Sequence, residues 1–201
     1  MRRSRLPLPL TIVAALFAAV MVFLVVAALV PRRVPTFVPR PASPPPAALV
    51  PDTVTLDARD AEHWWFFAFA SGLLSPADTS GWDLAVRRFH VIAAGDVARL
   101  DTVTFDDLRA APAAGYVSTA FGRDTINPAI GRWYRYSMVS HLLEPKPRTY
   151  VVRTRDGRYA KLEFLGYYCP GPSAGCVTFV YAYQGAGGPA FYSPSSVSPR
   201  G

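Results

Sequence analysis

Three histidines and one methionine downstream of an N-terminal apolar segment could bind a metal directly. They are His63, His90, Met138 and His141, which donate through an imidazole nitrogen or a thioether sulfur. Their spacing matches no local metal motif, such as a helical pair of histidines. Two cysteines and scattered histidines also do not make a four-ligand zinc site. We therefore predict no metal site, and these four residues remain candidates without a motif.

Residue patterns that are typical of enzymes are absent from the sequence. There is no Gly-rich phosphate loop, no nucleophile elbow and no spaced pair of carboxylates. Asp106 and Asp107 are adjacent, and charge at a helix N-terminus is their ordinary explanation. Ser140 and His141 lack the acid partner and the strained turn of a catalytic triad. We predict no catalytic residue and no enzyme activity.

The basic charge is concentrated outside the part of the chain that should fold. The net charge is +7, but residues 1–51 hold six arginines and no acid, and the remainder holds 15 basic and 14 acidic residues. A nucleic-acid-binding domain would carry its basic charge on the folded part. Nucleic acid is therefore not a predicted partner.

The N-terminal segment predicts a membrane anchor. Residues 6–30 carry no charge, and residues 10–30 supply 21 positions, where about 20 apolar residues cross a bilayer core. The apolar region of a secretory signal is shorter, at about 7 to 15 residues. The alternative is a removed signal, since Val26 and Ala28 satisfy a small-residue cleavage rule. The predicted anchor residues are Leu10, Phe17, Phe23 and Val30.

The positions of the two cysteines predict the cellular compartment of the folded domain. Cys169 and Cys176 bracket a loop between two predicted strands, where they could close a cross-strand disulfide, and disulfides persist in oxidising compartments. The alternative is two free buried cysteines. The arginines on either side of residues 6–30 give only a mild orientation bias. We predict a single-pass protein of a bacterial inner membrane, with a cytoplasmic N-terminus and a periplasmic domain.

Composition divides the chain into five segments. Residues 31–51 contain eight prolines. Such a linker could hold a domain on the order of 60 Å from the membrane or lie along a partner. Residues 185–201 are rich in Gly, Ser and Pro and predict a flexible tail. The predicted organisation is a basic head (1–5), an anchor (6–30), a Pro-rich linker (31–51), a β-domain (52–184) and the tail (185–201).

Three consecutive strands organise the predicted domain, at 150–154, 159–168 and 177–183, because β-branched and aromatic residues dominate all three. Asp156-Gly157 predicts a type I′ hairpin turn. In the third strand, Val177, Phe179, Tyr181 and Tyr183 share one face. Further strands are predicted at 54–56, 82–95 and 132–138, with an apolar aromatic run at 63–72 and one or two helical turns at 105–111 capped by Thr104. The expected fold is all-β, an antiparallel sandwich or rolled sheet.

Four segments, WDLAVRRFHVIAAG, RWYRYSM, YVVRTRDGRYAKLEFLGYY and VTFVYAYQ, resemble the HmuY family of bacterial haem-binding surface proteins. The resemblance covers roughly residues 82–184 and is most specific at 153–161 and 178–184. It implies an exported all-β domain, and in members that bind haem a pair of axial His or Met side chains grips the iron. Family members are commonly lipoproteins, whereas this chain has no N-terminal cysteine to carry lipid. No axial ligand of the family is carried over to a position of this sequence.

Two functions from different classes follow. The anchor, the proline linker and the lack of reactive-site residues favour a non-catalytic, cofactor-free structural subunit. It would dock on and stabilise a larger membrane complex, of the respiratory or light-harvesting type, with other subunits and the bilayer as partners. The alternative is an HmuY-like haem-binding protein. Its candidate ligands would be His63, His90, Met138 and His141.

Overall fold

The computed structural model describes residues 7–29, 34–40, 49–74 and 79–191. These residues divide into two compact units. The first contains the N-terminal helix and the loop residues Met138–Ser140, and the second is a β-domain that begins at Val34. The predicted basic head, Val30, most of the predicted linker and the end of the predicted tail lie outside the described residues.

Helix α1 spans Leu8–Leu29 and contains 22 residues. At about 1.5 Å per residue it is roughly 33 Å long, close to the thickness of a bilayer core. By length and composition it could cross a membrane, and Leu10, Phe17 and Phe23 are exposed on it. The helix therefore has the properties of a membrane anchor.

Twelve strands are present in the described residues, and their paired strands all run antiparallel. The strands are β1 (Asp52–Asp57), β2 (Trp65–Ala68), β3 (Gly72–Leu73), β4 (Leu84–Arg87), β5 (His90–Ala93), β6 (Asp96–Leu100), β7 (Tyr116–Ser118), β8 (Tyr134–Tyr136), β9 (Leu143–Pro145), β10 (Thr149–Arg153), β11 (Tyr159–Cys169) and β12 (Ser173–Gln184). A six-stranded sheet has the order β1-β12-β11-β10-β6-β7, a four-stranded sheet has the order β3-β2-β4-β5, and β8 pairs with β9.

Aromatic side chains join the two larger sheets. The ring of Phe67 on β2 lies 5.4 Å from the rings of both Phe179 and Tyr181 on β12. Trp133, which precedes β8, is fully buried and stacks on Phe164 of β11 at 4.4 Å. Side chains alternate along a strand, so one face of β12 enters this core as expected. The predicted all-β sandwich is confirmed.

Residues 82–95 form a hairpin, so the prediction of one strand there is wrong. Strand β4 ends at Arg87, β5 begins at His90, and these two residues pair with each other. Arg88 in the loop has φ 54°, a left-handed conformation that is uncommon for residues other than glycine. The reversal was missed because Arg88 and Phe89 carry no turn signal. Pairing of the two short apolar runs buries Leu84, Val86, Val91 and Ala93 in one core.

The hairpin between β10 and β11 is present, but its turn is not type I′. That turn needs two successive residues with positive φ, and among residues 154–158 only Gly157 has one, at 78°. Gly157 N donates to Thr154 O at 3.0 Å, and Thr154 N donates to Arg158 O at 2.9 Å. The Thr154 hydroxyl also accepts from Arg158 N at 2.9 Å. These bonds stabilise a five-residue loop that uses a single left-handed glycine.

Other local predictions differ from the structure in extent. Residues 105–107 form one turn, where Asp107 N donates to the Thr104 hydroxyl at 3.2 Å and Leu108 N donates to Thr104 O at 3.1 Å. Only Tyr134–Tyr136 of the predicted strand 132–138 is strand. Pro145 is the last residue of β9.

Segments at both ends of the β-domain pair with it. In residues 34–40, Phe37 N donates to Tyr168 O at 2.8 Å, while Arg40 and Thr55 exchange two bonds at 3.0 Å. At the other end, Ala111 N donates to Pro189 O at 2.7 Å and Phe191 is buried. Residues 34–40 of the predicted linker and 185–191 of the predicted tail are therefore packed on the domain. Cys169 and Cys176 form a disulfide that closes the β11–β12 loop.

Replacing Gly166 with alanine should detach residues 34–40 locally. A Cβ at this position would lie 2.3 Å from a ring carbon of Phe37, so the ring must move. We expect a loss of about 1 kcal/mol in unfolding free energy and faster proteolysis within residues 34–40. The double variant Gly166→Ala with Phe37→Ala should cleave no faster than Phe37→Ala alone, since no clash remains. Equal protection of wild type and Gly166→Ala would contradict this packing.

The stability of the β-domain should depend on pH through Asp83. This carboxylate accepts from Phe69 N at 2.8 Å, and burial raises the pKa of Asp83 to about 6. A raised pKa in the folded state stabilises the fold at low pH, and this contribution is lost as the pH rises through about 6. Asp83→Asn should therefore stabilise the protein by up to about 2 kcal/mol near pH 7 but not near pH 4. Denaturant unfolding at both pH values measures this, and an equal effect at both would contradict it.

Candidate functional site

The β8–β9 hairpin presents one of the candidate histidines. Arg135 and Glu144 face each other across the two strands, with a nitrogen and an oxygen 2.6 Å apart. The loop that follows is closed by two backbone bonds, from Ser137 N to Leu142 O at 2.9 Å and from His141 N to Ser137 O at 2.8 Å. His141 therefore lies near the end of the loop, two residues before β9 begins at Leu143.

His141 is oriented by a neighbouring hydroxyl. Its Nδ1 lies 2.7 Å from Oη of Tyr136, and both side chains are exposed. When Nδ1–H donates to this hydroxyl, Nε2 carries the lone pair, which is how metal-binding imidazoles are usually held. The backbone of His141 has φ 55°, a conformation that costs energy in a residue with a Cβ. The local structure thus presents one imidazole nitrogen to solvent.

Buried aromatic residues hold the base of this hairpin. Trp133 Nε1 donates to Phe89 O at 2.9 Å, which joins the start of β8 to the β4–β5 turn. Leu143 N donates to the hydroxyl of Tyr168 on β11 at 2.8 Å. The ring of Phe89 packs against Tyr134 at 5.4 Å. The hairpin is therefore fixed to the sandwich on both of its strands.

His90 is the first residue of β5, directly after the β4–β5 turn. Its ring centroid is 4.4 Å from that of Phe89. Burial lowers the pKa of His90, and the charge of Arg87 lowers it further. A lowered pKa keeps the imidazole neutral at physiological pH, and a neutral ring is the form that binds metals.

The third histidine borders a cleft of about 500 Å³, which we name the Trp cleft. His63 Nδ1 lies 2.8 Å from Oδ2 of Asp60. The cleft is lined by Asp60, Glu62, His63, Trp64, Trp65, Phe66 and Thr79. Its volume is that of a small-molecule site.

The structure distributes the predicted ligands rather than gathering them. His63 borders the Trp cleft, His90 begins β5, and His141 is on the β8–β9 hairpin. Met138 is 75% exposed and belongs to the unit of α1. Within the described ranges, no three His, Cys, Asp or Glu side chains converge as a metal site would require. Sequence reasoning missed Tyr136, whose position before a hairpin loop could have indicated a partner for His141.

The molecule is therefore an antiparallel β-sandwich that follows an apolar helix. Its histidine side chains are exposed, close to turns and hairpin loops. The sequence matches the family described as HmuY protein over residues 60–181. The chain belongs to the HmuY family. The resemblance found in the sequence is thereby confirmed.

Solved structures share the fold at low sequence identity. A lipoprotein of Bacteroides fragilis has a TM-score of 0.59 at 20% identity, over 74% of this chain and 94% of that one. An apo HmuY analogue of Tannerella forsythia has a TM-score of 0.59 at 20% identity, over 67% and 96%. An HmuY-like haem-binding protein of Bacteroides vulgatus has a TM-score of 0.57 at 21% identity, over 67% and 92%. No curated protein matches the chain in sequence.

These findings correct two predictions. The expected structural subunit of a larger membrane complex is wrong, because the chain belongs to the HmuY family and its structural relatives include a protein described as haem-binding. The expectation of no cofactor is overturned by the same findings. The haem-binding alternative is the better supported reading.

Proposed function

We propose that this chain is a membrane-anchored haem-binding protein and that His141 supplies an axial imidazole. The observation that carries the proposal is the contact between His141 and Tyr136. It holds the ring through Nδ1, and the side chain is exposed to solvent. Membership of the HmuY family and the haem-binding relative support haem as the group bound.

The residues around His141 fit an iron porphyrin. Haem needs a neutral imidazole or thioether ligand and an apolar surface for its macrocycle. Tyr136 offers an aromatic ring that is 48% exposed beside the imidazole. Arg135 is ion-paired with Glu144, but its side chain is 72% exposed, so its remaining N–H donors could pair with a propionate carboxylate. When bound, haem would supply an iron centre, and His141, Tyr136 and Arg135 would hold it.

The Trp cleft fits haem less well, although it is large and aromatic. Asp60 and Glu62 lie on its lining, and both carboxylates would repel the two propionates of haem. This difference in charge favours His141 over His63 as the iron ligand. We assign one axial ligand, His141.

We further propose a periplasmic location for the β-domain, with α1 in the inner membrane and the N-terminus in the cytoplasm. The Cys169–Cys176 disulfide supports an oxidising compartment. The basic residues before α1 agree with a cytoplasmic N-terminus. The lipid bilayer is then the partner of α1, and the role of the domain is binding rather than catalysis.

A haemin titration of the full chain in mild detergent tests the proposal. We expect a Soret shift that saturates at about one equivalent, since one axial site is assigned. Free haemin in the same detergent without protein is the control. A spectrum identical to that of free haemin across the titration would overturn the proposed function.

A further inference from the structure

The loop before β2 is held in place by one carboxylate. Oδ1 of Asp60 accepts from Glu62 N at 2.7 Å and from His63 N at 3.2 Å, while Oδ2 bonds the imidazole of His63. The bond from Glu62 N, followed by that from His63, lowers the pKa of Asp60. The carboxylate therefore stays charged at neutral pH, and the loop it orders forms one side of the Trp cleft.

Aromatic rings supply the remaining surface of the cleft. The guanidinium carbon of Arg87 lies 4.7 Å from the ring of Trp64, so this indole already contacts one cation of the chain. The ring of Phe66 packs against that of Trp82, a residue that does not line the cleft, and the two ring centroids are 5.5 Å apart. The walls of the cleft are therefore largely aromatic.

The charge at the cleft is negative. Asp60 and Glu62 contribute two carboxylates. Arg87, whose guanidinium lies over the ring of Trp64, contributes one positive charge. Glu62 is exposed and forms no ion pair with any residue that the structure describes. An anion would be repelled here, whereas a cation would meet both a free carboxylate and aromatic faces.

We propose that the Trp cleft is a second ligand site, separate from His141, that binds a quaternary ammonium group. Indole and phenyl faces attract such a cation, and its methyl groups need no hydrogen-bond partners. A cleft of about 500 Å³ is far larger than a metal ion requires and suits an organic cation. The group could come from a free solute or from a lipid headgroup, which share this chemistry.

Titration calorimetry of the full chain in lipid nanodiscs tests the proposal, with tetramethylammonium as the probe. We expect saturable binding that is at least about tenfold tighter than that of tert-butyl alcohol, a neutral molecule of similar shape. Glu62→Gln should weaken the affinity about fivefold. Glu144→Gln removes the same charge from the β8–β9 hairpin, away from the cleft, and should leave the affinity for tetramethylammonium unchanged.

Two further arms of the experiment identify the source of the ammonium group and test whether the cleft binds haem instead. Nanodiscs that contain phosphatidylcholine should reduce tetramethylammonium binding if the ligand is a headgroup, and should leave it unchanged if the ligand is a free solute. Equal affinity for the cation and the neutral molecule, or no binding of either, would overturn the proposal. So would a loss of haem affinity on His63→Ala, because the cleft would then be the haem site. Failure of haemin to bind anywhere would leave the cation result intact.

Discussion

His141→Ala should lower the affinity of the protein for haemin by at least about tenfold and abolish the Soret shift, because the axial imidazole is lost. Tyr136→Phe keeps the ring but removes the hydroxyl that orients His141. It should weaken binding less, by about threefold to tenfold, because the imidazole remains but can rotate. Absorbance titrations of the purified variants measure both effects.

The other two histidines provide matched controls for this experiment. His63 and His90 carry the same side chain, one bonded to Asp60 and the other packed on Phe89. Alanine at either position should leave the haemin spectrum unchanged. Since His141 is exposed, its replacement should also leave thermal unfolding nearly unchanged. A spectrum that depends on His63 or His90 but not on His141 would refute the assignment of the ligand.

Trp133→Ala should destabilise the protein by about 4 kcal/mol, the loss typical of removing a fully buried large aromatic side chain. The indole stacks on Phe164, and its Nε1–H satisfies the carbonyl of Phe89. Removing it would leave both a cavity and a partly buried carbonyl without its donor. Denaturant unfolding followed by fluorescence of the remaining tryptophans measures the change.

Two variants separate the contributions of this tryptophan. Trp133→Phe retains part of the stack and loses the hydrogen bond, so a smaller loss of about 2 kcal/mol is expected. Trp82→Ala removes an indole that is only partly buried and should cost about 1 kcal/mol. A loss at Trp133 no greater than that at Trp82 would show that the β8–β9 hairpin is not fixed through this residue.

Much of the fold follows from local sequence, because long strands carry a repeating signal. The alternation of Val177, Phe179 and Tyr181 with smaller residues identified β12 and its buried face. Short strands carry too few residues for this pattern. The reversal at Arg88-Phe89 had no glycine to mark it, so β4 and β5 read as one strand.

The candidate sites depend on pairings between distant residues, which composition does not reveal. His141 meets Tyr136 only because β8 and β9 pair in a particular register. The Trp cleft could be seen in the sequence only as an aromatic run. Its ligand preference depends on Asp60 folding back onto His63 and on Arg87 reaching Trp64 from another strand. Sequence reasoning therefore named the histidines but not their environments.

The backbone bonds between Arg40 and Thr55 have a practical consequence for handling the protein. Strand β1 is one border of the six-stranded sheet, and unpaired strand borders invite self-association. The exchange with Arg40 occupies part of that border, whereas the other border, β7, is only three residues long. An expression boundary placed at Asp52 would uncover β1, and one placed at Val34 would keep it shielded.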